Sequence, residues 1–318
     1  MRILVADDDP VSLRLMEHML RNSGYKVITV DNGQAAARIL SKSDGPRMAL
    51  IDWMMPGLDG PGVCRAVRGR YDDAYVYMVL LTSKQSSGDV VQGLEAGADD
   101  YLTKPCHPAE LKARLHTGRR ILQLEDKLVE AREKMRFKAT HDPLTSLWDR
   151  GAILALLQSE LSRSRRDHSP VSLMLCDVDH FKNVNDTYGH TVGDEALQEV
   201  SKRLQDAVRS HDAVGRYGGE EFLIVMGGTG RDELRERAEQ VRSAISCLPF
   251  FTSQGAIPVS LSIGIVTIDD CNKSLPVEHF LKEADDALYQ AKADGRDRVA
   301  SATSMLEILD LRVASIAL

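Results

Sequence analysis

Cysteine is scarce in this sequence of 318 residues. Its five copies (Cys64, Cys106, Cys176, Cys247 and Cys271) are odd in number and never spaced Cys-x-x-Cys. That excludes a disulfide framework and a structural zinc of the usual spacing, and it fits a reducing cytoplasm. No apolar run approaches the length of a membrane span, so no membrane attachment is expected. Residues 1–10 lack the basic-then-apolar order of a signal peptide and form instead a short apolar run ending in acids. An excess of positive charge is also missing. The 40 Lys and Arg stand against 47 Asp and Glu, a net charge of −7 that disfavours DNA as a partner. What is present is 43% hydrophobic and 27% charged residues, enough apolar side chains for two folded domains.

The charge is unevenly placed. Residues 1–107 carry 12 basic and 14 acidic side chains, residues 108–140 carry 9 and 5, and residues 141–318 carry 19 and 28. A basic segment therefore joins two acidic blocks, which gives three parts with boundaries at 1–107, 108–140 and 141–318.

In the first block, apolar runs at 3–6, 27–30, 48–51, 75–81 and 101–102 alternate with helix-like segments. One of these is 10–23, where Val11, Leu15, Met19 and Leu20 recur at helical spacing. Such alternation predicts an α/β, doubly wound parallel sheet whose ligands bind beyond the carboxyl ends of the strands. Asp7 and Asp8 follow the first run, Asp52 ends the third, Thr82 closes the fourth and Lys104 follows the fifth. Crowded carboxylates repel and are tolerated where a divalent cation neutralises them. A carboxylate beside a metal, a hydroxyl and a lysine can accept a phosphoryl group. Any one acid at a strand end is commonly a cap or turn residue; suitable residues at successive strand ends outweigh that reading. Together they resemble a response regulator receiver domain. The resemblance implies a flavodoxin-like fold with Asp52, in Asp52-Trp53-Met54-Met55-Pro56-Gly57, as the phosphoacceptor. It also implies an Mg²⁺ site from Asp7, Asp8, Asp52 and Met54, and a receiver switch from Thr82, Tyr101 and Lys104. Pro105 after Lys104 matches a bond that is usually cis in that family. The phosphoryl donor would be a cognate histidine kinase.

Residues 108–138 have the pattern of one long helix: Pro108 suits its first turn, and no further Pro interrupts before Asp142-Pro143. Ile121, Leu124, Leu128, Ala131 and Met135 follow coiled-coil spacing. Leu111, Leu115 and Leu122 lie one residue out of step, so the apolar stripe shifts near Gly118. A dimer seam and a solvated connector both fit this pattern.

In the second block, strands are expected at 171–176, 222–226 and 257–267, and helices at 152–163, 194–208, 231–247 and 277–293. The run 172–176 ends in Asp177-Val178-Asp179, two acids that face one side of an extended chain and suit a metal. Residues 181–186 turn toward a helix, where free backbone N–H groups can hold phosphate. Arg216-Tyr217-Gly218-Gly219-Glu220-Glu221-Phe222 has the form of a tight hairpin whose glycines permit left-handed dihedrals and a close ligand. A Gly–Gly turn alone is ordinary surface chemistry. Its company is not: 189–194 (Gly-His-Thr-Val-Gly-Asp) and 291–296 (Ala-Lys-Ala-Asp-Gly-Arg) complete an ordered series.

That series resembles the diguanylate cyclase (GGDEF) domain, here as Gly-Gly-Glu-Glu-Phe. The resemblance implies an α+β, ferredoxin-like nucleotidyl-cyclase core that converts two GTP to cyclic di-GMP and two pyrophosphates. A homodimer is implied too, since one domain holds one GTP. Asp177, Val178, Glu220 and Glu221 would bind Mg²⁺, with Mn²⁺ a possible substitute. Glu220 and Glu221 would be the catalytic acids, their division of labour left open. Phe181, Lys182, Asn185, His190, Asp194, Gly218, Gly219, Lys292 and Arg296 would bind substrate, with Asn185 and Asp194 reading guanine. Lys292 also sits where a helix end capped by Gly295 favours a cation anyway.

Arg209-Ser210-His211-Asp212, separated from Gly218 by five residues, matches the family's product-inhibition site. Gln240 stands where many relatives carry a further arginine, with Arg237 and Arg242 as nearby substitutes. Ser146 and Asp149 depart from the family's Asp-x-Leu-Thr-Gly-Leu-x-Asn-Arg opening at a structural turn. The tail 303–318, with Leu306, Leu309 and Val313 at helical spacing, is expected to pack as a helix. The rival reading is a non-catalytic module that senses GTP or cyclic di-GMP; intact Asp177, Glu220, Glu221, Lys292 and Arg296 favour catalysis. Phosphorylation of Asp52 would either dimerise the protein or reposition an existing dimer.

Overall fold

A computed structural model of the chain describes residues 1–69, 74–83, 87–268 and 276–302, without the side chains of Ser87 and Asp89. The expected tail helix and Cys271 lie outside the described residues. The chain divides into two units, Met1–Glu133 and Lys134–Leu318.

The first unit runs β1 (Arg2–Ala6), α1 (Pro10–Asn22), β2 (Lys26–Val30), α2 (Gly33–Leu40), β3 (Met48–Asp52), α3 (Gly60–Arg68), β4 (Tyr77–Thr82), α4 (Ser87–Glu95), β5 (Asp100–Thr103) and the start of α5 (Pro108–Thr140). Its strands are all parallel in the order β2-β1-β3-β4-β5, the flavodoxin-like arrangement. Alternate strand residues supply two cores. Leu4, Ala6, Ala49, Ile51, Met78 and Leu80 meet Ala36 and Val63 on one face. Ile3, Val5, Met48, Leu50, Tyr77 and Val79 meet Met16, Leu20, Leu111 and Leu115 on the other. Burial on both faces explains why these strands are continuous apolar runs rather than alternating ones.

The two apolar frames of α5 are two faces, which corrects the expectation of a register shift. Leu111, Leu115, Gly118 and Leu122 are buried against their own sheet, and a Cβ at Gly118 would lie 2.3 Å from the Tyr77 ring. Leu124, Leu128 and Met135, from the other frame, are 57%, 63% and 72% exposed.

The second unit contains α6 (Arg150–Asp167), β6 (Val171–Val178), α7 (Phe181–Tyr188), α8 (His190–Ala207), β7 (Ala213–Arg216), β8 (Glu221–Gly227) and α9 (Arg231–Ser246). It continues with β9 (Phe250–Thr252), β10 (Gly255–Ile257), β11 (Leu261–Ile268), α10 (Val277–Ala293) and β12 (Val299–Ser301). The sheet order is β12-β11-β6-β8-β7, with β6 antiparallel to both β8 and β11. Without β12 this is the βαββαβ ferredoxin-like core. Met174 and Cys176 face the α8–α9 side, while Leu173 and Leu175 face α6 and α10.

Two boundaries differ from expectation. The run 257–267 is two strands: β10 ends at Ile257, before Pro258, which has no N–H for a ladder. Residues 181–186 are not a turn but belong to α7, which ends where Gly189 takes φ +83°.

Candidate functional site

Each unit gathers its candidate residues at one sheet edge. In the first, β1 delivers buried Asp7 and exposed Asp8, and β3 delivers buried Asp52. Their carboxylate oxygens lie within 4.8 Å of one another. Asp9 is spent on capping α1, accepting from the Val11 and Ser12 N–H groups. Lys104, followed by a cis Pro105, ion-pairs Asp7 at 2.6 Å and also contacts Asp52. Burial pushes the Asp52 carboxyl up, against the opposing pull of Lys104. Burial would lower Lys104, but its hydrogen bonds to Asp52 and Asp7 prevail and raise it. The Met54 N–H donates to Asp52. Thr82 is buried at the end of β4, and Tyr101 packs half-buried against the core. An all-oxygen, anionic donor set of this span suits a hard divalent cation such as Mg²⁺.

In the second unit the central strand β6 carries Asp177 to the edge, where it is 7% exposed. Asp177 stands opposite Glu221 on β8 and opposite Ser262 on β11. Directly opposed side chains on antiparallel strands have Cβ atoms about 5 Å apart. Burial raises the Asp177 carboxyl against the pull of Lys292, whose ammonium lies 2.8 Å away. Burial raises Glu221 as well, helped by the charge of Asp177. Carboxylates that discourage one another's ionisation fit a cation. The Glu220 side chain is half-buried, and its carbonyl accepts from the Val178 N–H at 3.2 Å.

The hairpin works differently from the expectation. Neither Gly218 nor Gly219 has positive φ. A Cβ at Gly218 would lie 2.3 Å from Glu221 Oε2, so a side chain there would displace that carboxylate, whereas Gly219 faces open space. The turn is held instead by Arg216, which donates to the Gly219 carbonyl at 2.8 Å and to both oxygens of Asp142 at 3.1 and 3.2 Å.

Asp179, two residues after Asp177, is held by hydrogen bonds. Buried past the end of β6, it accepts from the Ser260 and Ser262 hydroxyls at 2.7 and 2.6 Å and from the Asp297 N–H at 3.0 Å. Phe181 likewise puts its side chain into the core, so it offers a ligand only its main chain. His180 before it is left-handed, at φ +56°, and no side chain caps α7. Asn185 is half-buried, while Lys182, His190 and Asp194 are exposed. Gly193 lets α8 approach: a Cβ there would lie 2.0 Å from Asn185 Oδ1. A glycine inside a helical pattern was the available signal for that contact. After α10 the chain passes Gly295 at φ +116° and then two non-glycine left-handed residues, Arg296 at +62° and Asp297 at +44°. That conformation costs a non-glycine residue about 1–2 kcal/mol.

At the Arg209–Asp212 motif, both charged groups already have partners. Arg209 ion-pairs Glu233 at 2.7 Å, and the fully buried Asp212 carboxylate holds the buried Arg237 at 2.7 Å. Arg242 pairs with Glu239 and Asp297, each at 2.7 Å. Arg237 and Arg242 are therefore committed within the domain, which corrects their reading as substitutes at the position of Gln240.

Comparison with known proteins adds the family. Residues 139–298 match the family model described as "Diguanylate cyclase, GGDEF domain", and residues 3–116 match "Response regulator receiver domain". The response regulator PleD of Caulobacter vibrioides is 31% identical over 298 residues, 94% of this chain and 65% of PleD. The chain thus spans just under two thirds of that relative's length. Diguanylate cyclase DosC of Escherichia coli is 38% identical over 185 residues, 58% of this chain and 39% of DosC. Among solved structures, the coiled coil and GGDEF domain of Caulobacter crescentus DgcB, in complex with c-di-GMP, matches with TM-score 0.54 and 27% identity. It covers 60% of this chain and 99% of that one. Diguanylate cyclase SiaD of Pseudomonas aeruginosa matches with TM-score 0.50 and 31% identity, over 61% of this chain and 76% of its own.

Proposed function

We propose, from the premise that the chain belongs to the GGDEF diguanylate cyclase family and carries a receiver domain ahead of the cyclase domain, that it condenses two GTP into cyclic di-GMP and two pyrophosphates. The observation that carries this reading is the facing pair Asp177 and Glu221 on β6 and β8, with Lys292 against Asp177.

In this reading Asn185 and Asp194 take the guanine edge, with His190 nearby, and the carboxylate discriminates against adenine, which offers no matching donor. Gly218 and Gly219 leave the hairpin bare, so the nucleotide can approach the backbone beside Phe181 and Lys182. Lys292 and Arg296 hold phosphate oxygens. Glu220 or Glu221 accepts the proton of the 3′-hydroxyl. The 3′-oxygen of one GTP then bonds to the α-phosphorus of the other as the bond to pyrophosphate breaks. The same exchange in the opposite direction closes the ring, so two domains must face each other. Asp177, the Val178 carbonyl and the hairpin acids would hold Mg²⁺, as would Asp7, Asp8, Asp52 and Met54 in the receiver, and the bound ion would supply positive charge that offsets phosphate oxygens.

The receiver takes a phosphoryl group on Asp52 from a histidine kinase, and Thr82, Tyr101 and Lys104 pass on the change. Cyclic di-GMP binding at Arg209 and Asp212 inhibits turnover, in competition with the exposed Arg209–Glu233 ion pair. Incubation with GTP and Mg²⁺ tests the reading. Cyclic di-GMP is expected from the protein treated with a phosphoryl analogue, and Glu220→Gln should lower the rate at least about 100-fold with its circular dichroism unchanged. No cyclic dinucleotide from an analogue-treated dimer defeats it.

A further inference from the structure

Lys292 and Arg296 lie at the end of α10, yet the groups that hold this end come from two other elements. The loop is closed locally by the Arg296 N–H, which donates to the Ala291 carbonyl at 3.1 Å. The next residue, Asp297, is tied twice. Its N–H donates to Asp179 Oδ2 at 3.0 Å, and its own carboxylate accepts from Arg242 Nη1 of α9 at 2.7 Å. Asp179 in turn is held by Ser260 and Ser262 at the start of β11, and its N–H donates to the Ser260 carbonyl at 3.0 Å. Left-handed backbone at consecutive non-glycine residues persists only where the surroundings over-determine it. Here those surroundings are Asp179 and Arg242.

We infer that Asp179 and Arg242 are positioning residues for the phosphate-holding loop: by pinning Asp297 from two sides they keep Arg296 in left-handed backbone just after the end of α10. This rests on the proposed role of Lys292 and Arg296 in holding the triphosphate. Three observations converge on it. Asp179 is 6% exposed and both of its carboxylate oxygens accept hydrogen bonds, three in all, from Ser260, Ser262 and the Asp297 N–H. Lys292, in the last turn of α10 just ahead of the loop, lies 2.8 Å from Asp177, which places the loop at the site rather than away from it. The Asp297 carboxylate pairs with Arg242 of α9 rather than within its own loop, tying the loop to a second element. Neither residue touches substrate in this account; each acts through Asp297.

The consequence is selective. Loosening the loop should weaken binding of the triphosphate and leave the guanine pocket of α7 and α8 intact. Equilibrium binding of a non-hydrolysable GTP analogue and of guanosine, which lacks phosphates, separates the two in the full-length protein. For Arg242→Gln, analogue affinity should fall about 5- to 10-fold while guanosine affinity stays within 2-fold, and KM for GTP should rise with kcat little changed. Arg242→Lys, which keeps the charge, should recover most of the loss. Asp179→Asn keeps one acceptor for the Asp297 N–H and should lose less than Asp179→Ala. Parallel loss of analogue and guanosine in Arg242→Gln, or no loss of either, overturns the inference. Lys292→Ala is the control. If it loses analogue affinity while Arg242→Gln does not, the positioning role fails and the reading of the site stands. If wild type does not bind the analogue more tightly than guanosine, both fail together.

Discussion

Asp142 and Arg216 illustrate how single residues join distant parts of the cyclase domain. They are 74 positions apart, and their ion pair meets the Gly219 carbonyl through the same guanidinium. Burial alone would raise the Asp142 carboxyl, but hydrogen bonds from Thr145 and then Arg216 bring it below its ordinary value of 3.8. A carboxylate lowered in the folded state contributes stability that is complete above its unfolded value and is lost as pH falls through the folded one. Asp142→Asn should therefore lower stability of the cyclase domain by about 1.5–3 kcal/mol at pH 7, the range for a hydrogen bond to a charged group. The difference from wild type should shrink below about pH 4. Calorimetric unfolding of both proteins at pH 7 and pH 3.5 checks the sign, and a gap that widens in acid contradicts it.

At the scale of elements, helix α5 divides its apolar residues between two tasks. Leu111, Leu115 and Leu122 complete the receiver core, so mutating them would damage the fold and report nothing on assembly. Leu124, Leu128 and Met135 are exposed on a helix of 33 residues. Fully burying such a side chain gains about 1.5–3 kcal/mol, which is the drive we assign to pairing with a second copy. Leu124→Lys combined with Leu128→Lys should raise the dimer dissociation constant at least about 30-fold in sedimentation, with receiver stability unchanged. An unaltered constant would remove the helix from the interface.

For the whole molecule, the proposed reading raises a regulatory question: whether an acyl phosphate on Asp52 alters a reaction that needs two cyclase domains. The candidate connection is α5, which runs unbroken from Pro108 to Thr140; among the described residues no helix is long and apolar enough to cross a membrane. If the phosphoryl group favours the paired state, a phosphoryl analogue should lower the protein concentration at half-maximal specific activity. Asp52→Asn should show one curve with and without it. Coincident curves for wild type would detach the receiver from turnover.

Much of both sites was legible as sequence because the chemistry uses neighbours. Asp7 with Asp8, Asp52 before Trp53, Lys104 before Pro105 and the Gly218–Phe222 hairpin each place their reacting groups within one strand end or one turn. The parallel order of the first sheet follows from strand–helix alternation for the same reason, since each crossover is local in the chain. What the sequence alone could not decide is what strand register and helix packing bring together from afar. Asp179 had the pattern of a metal ligand until β11 supplied Ser260 and Ser262. Arg237 had the pattern of a ligand for product until the packing of α9 buried it against Asp212. Arg296 was legible as a cation at a helix end, but its left-handed backbone depends on partners from β6 and α9. Residue type states which bonds a side chain can make; only the fold determines which partner is within 3 Å of it.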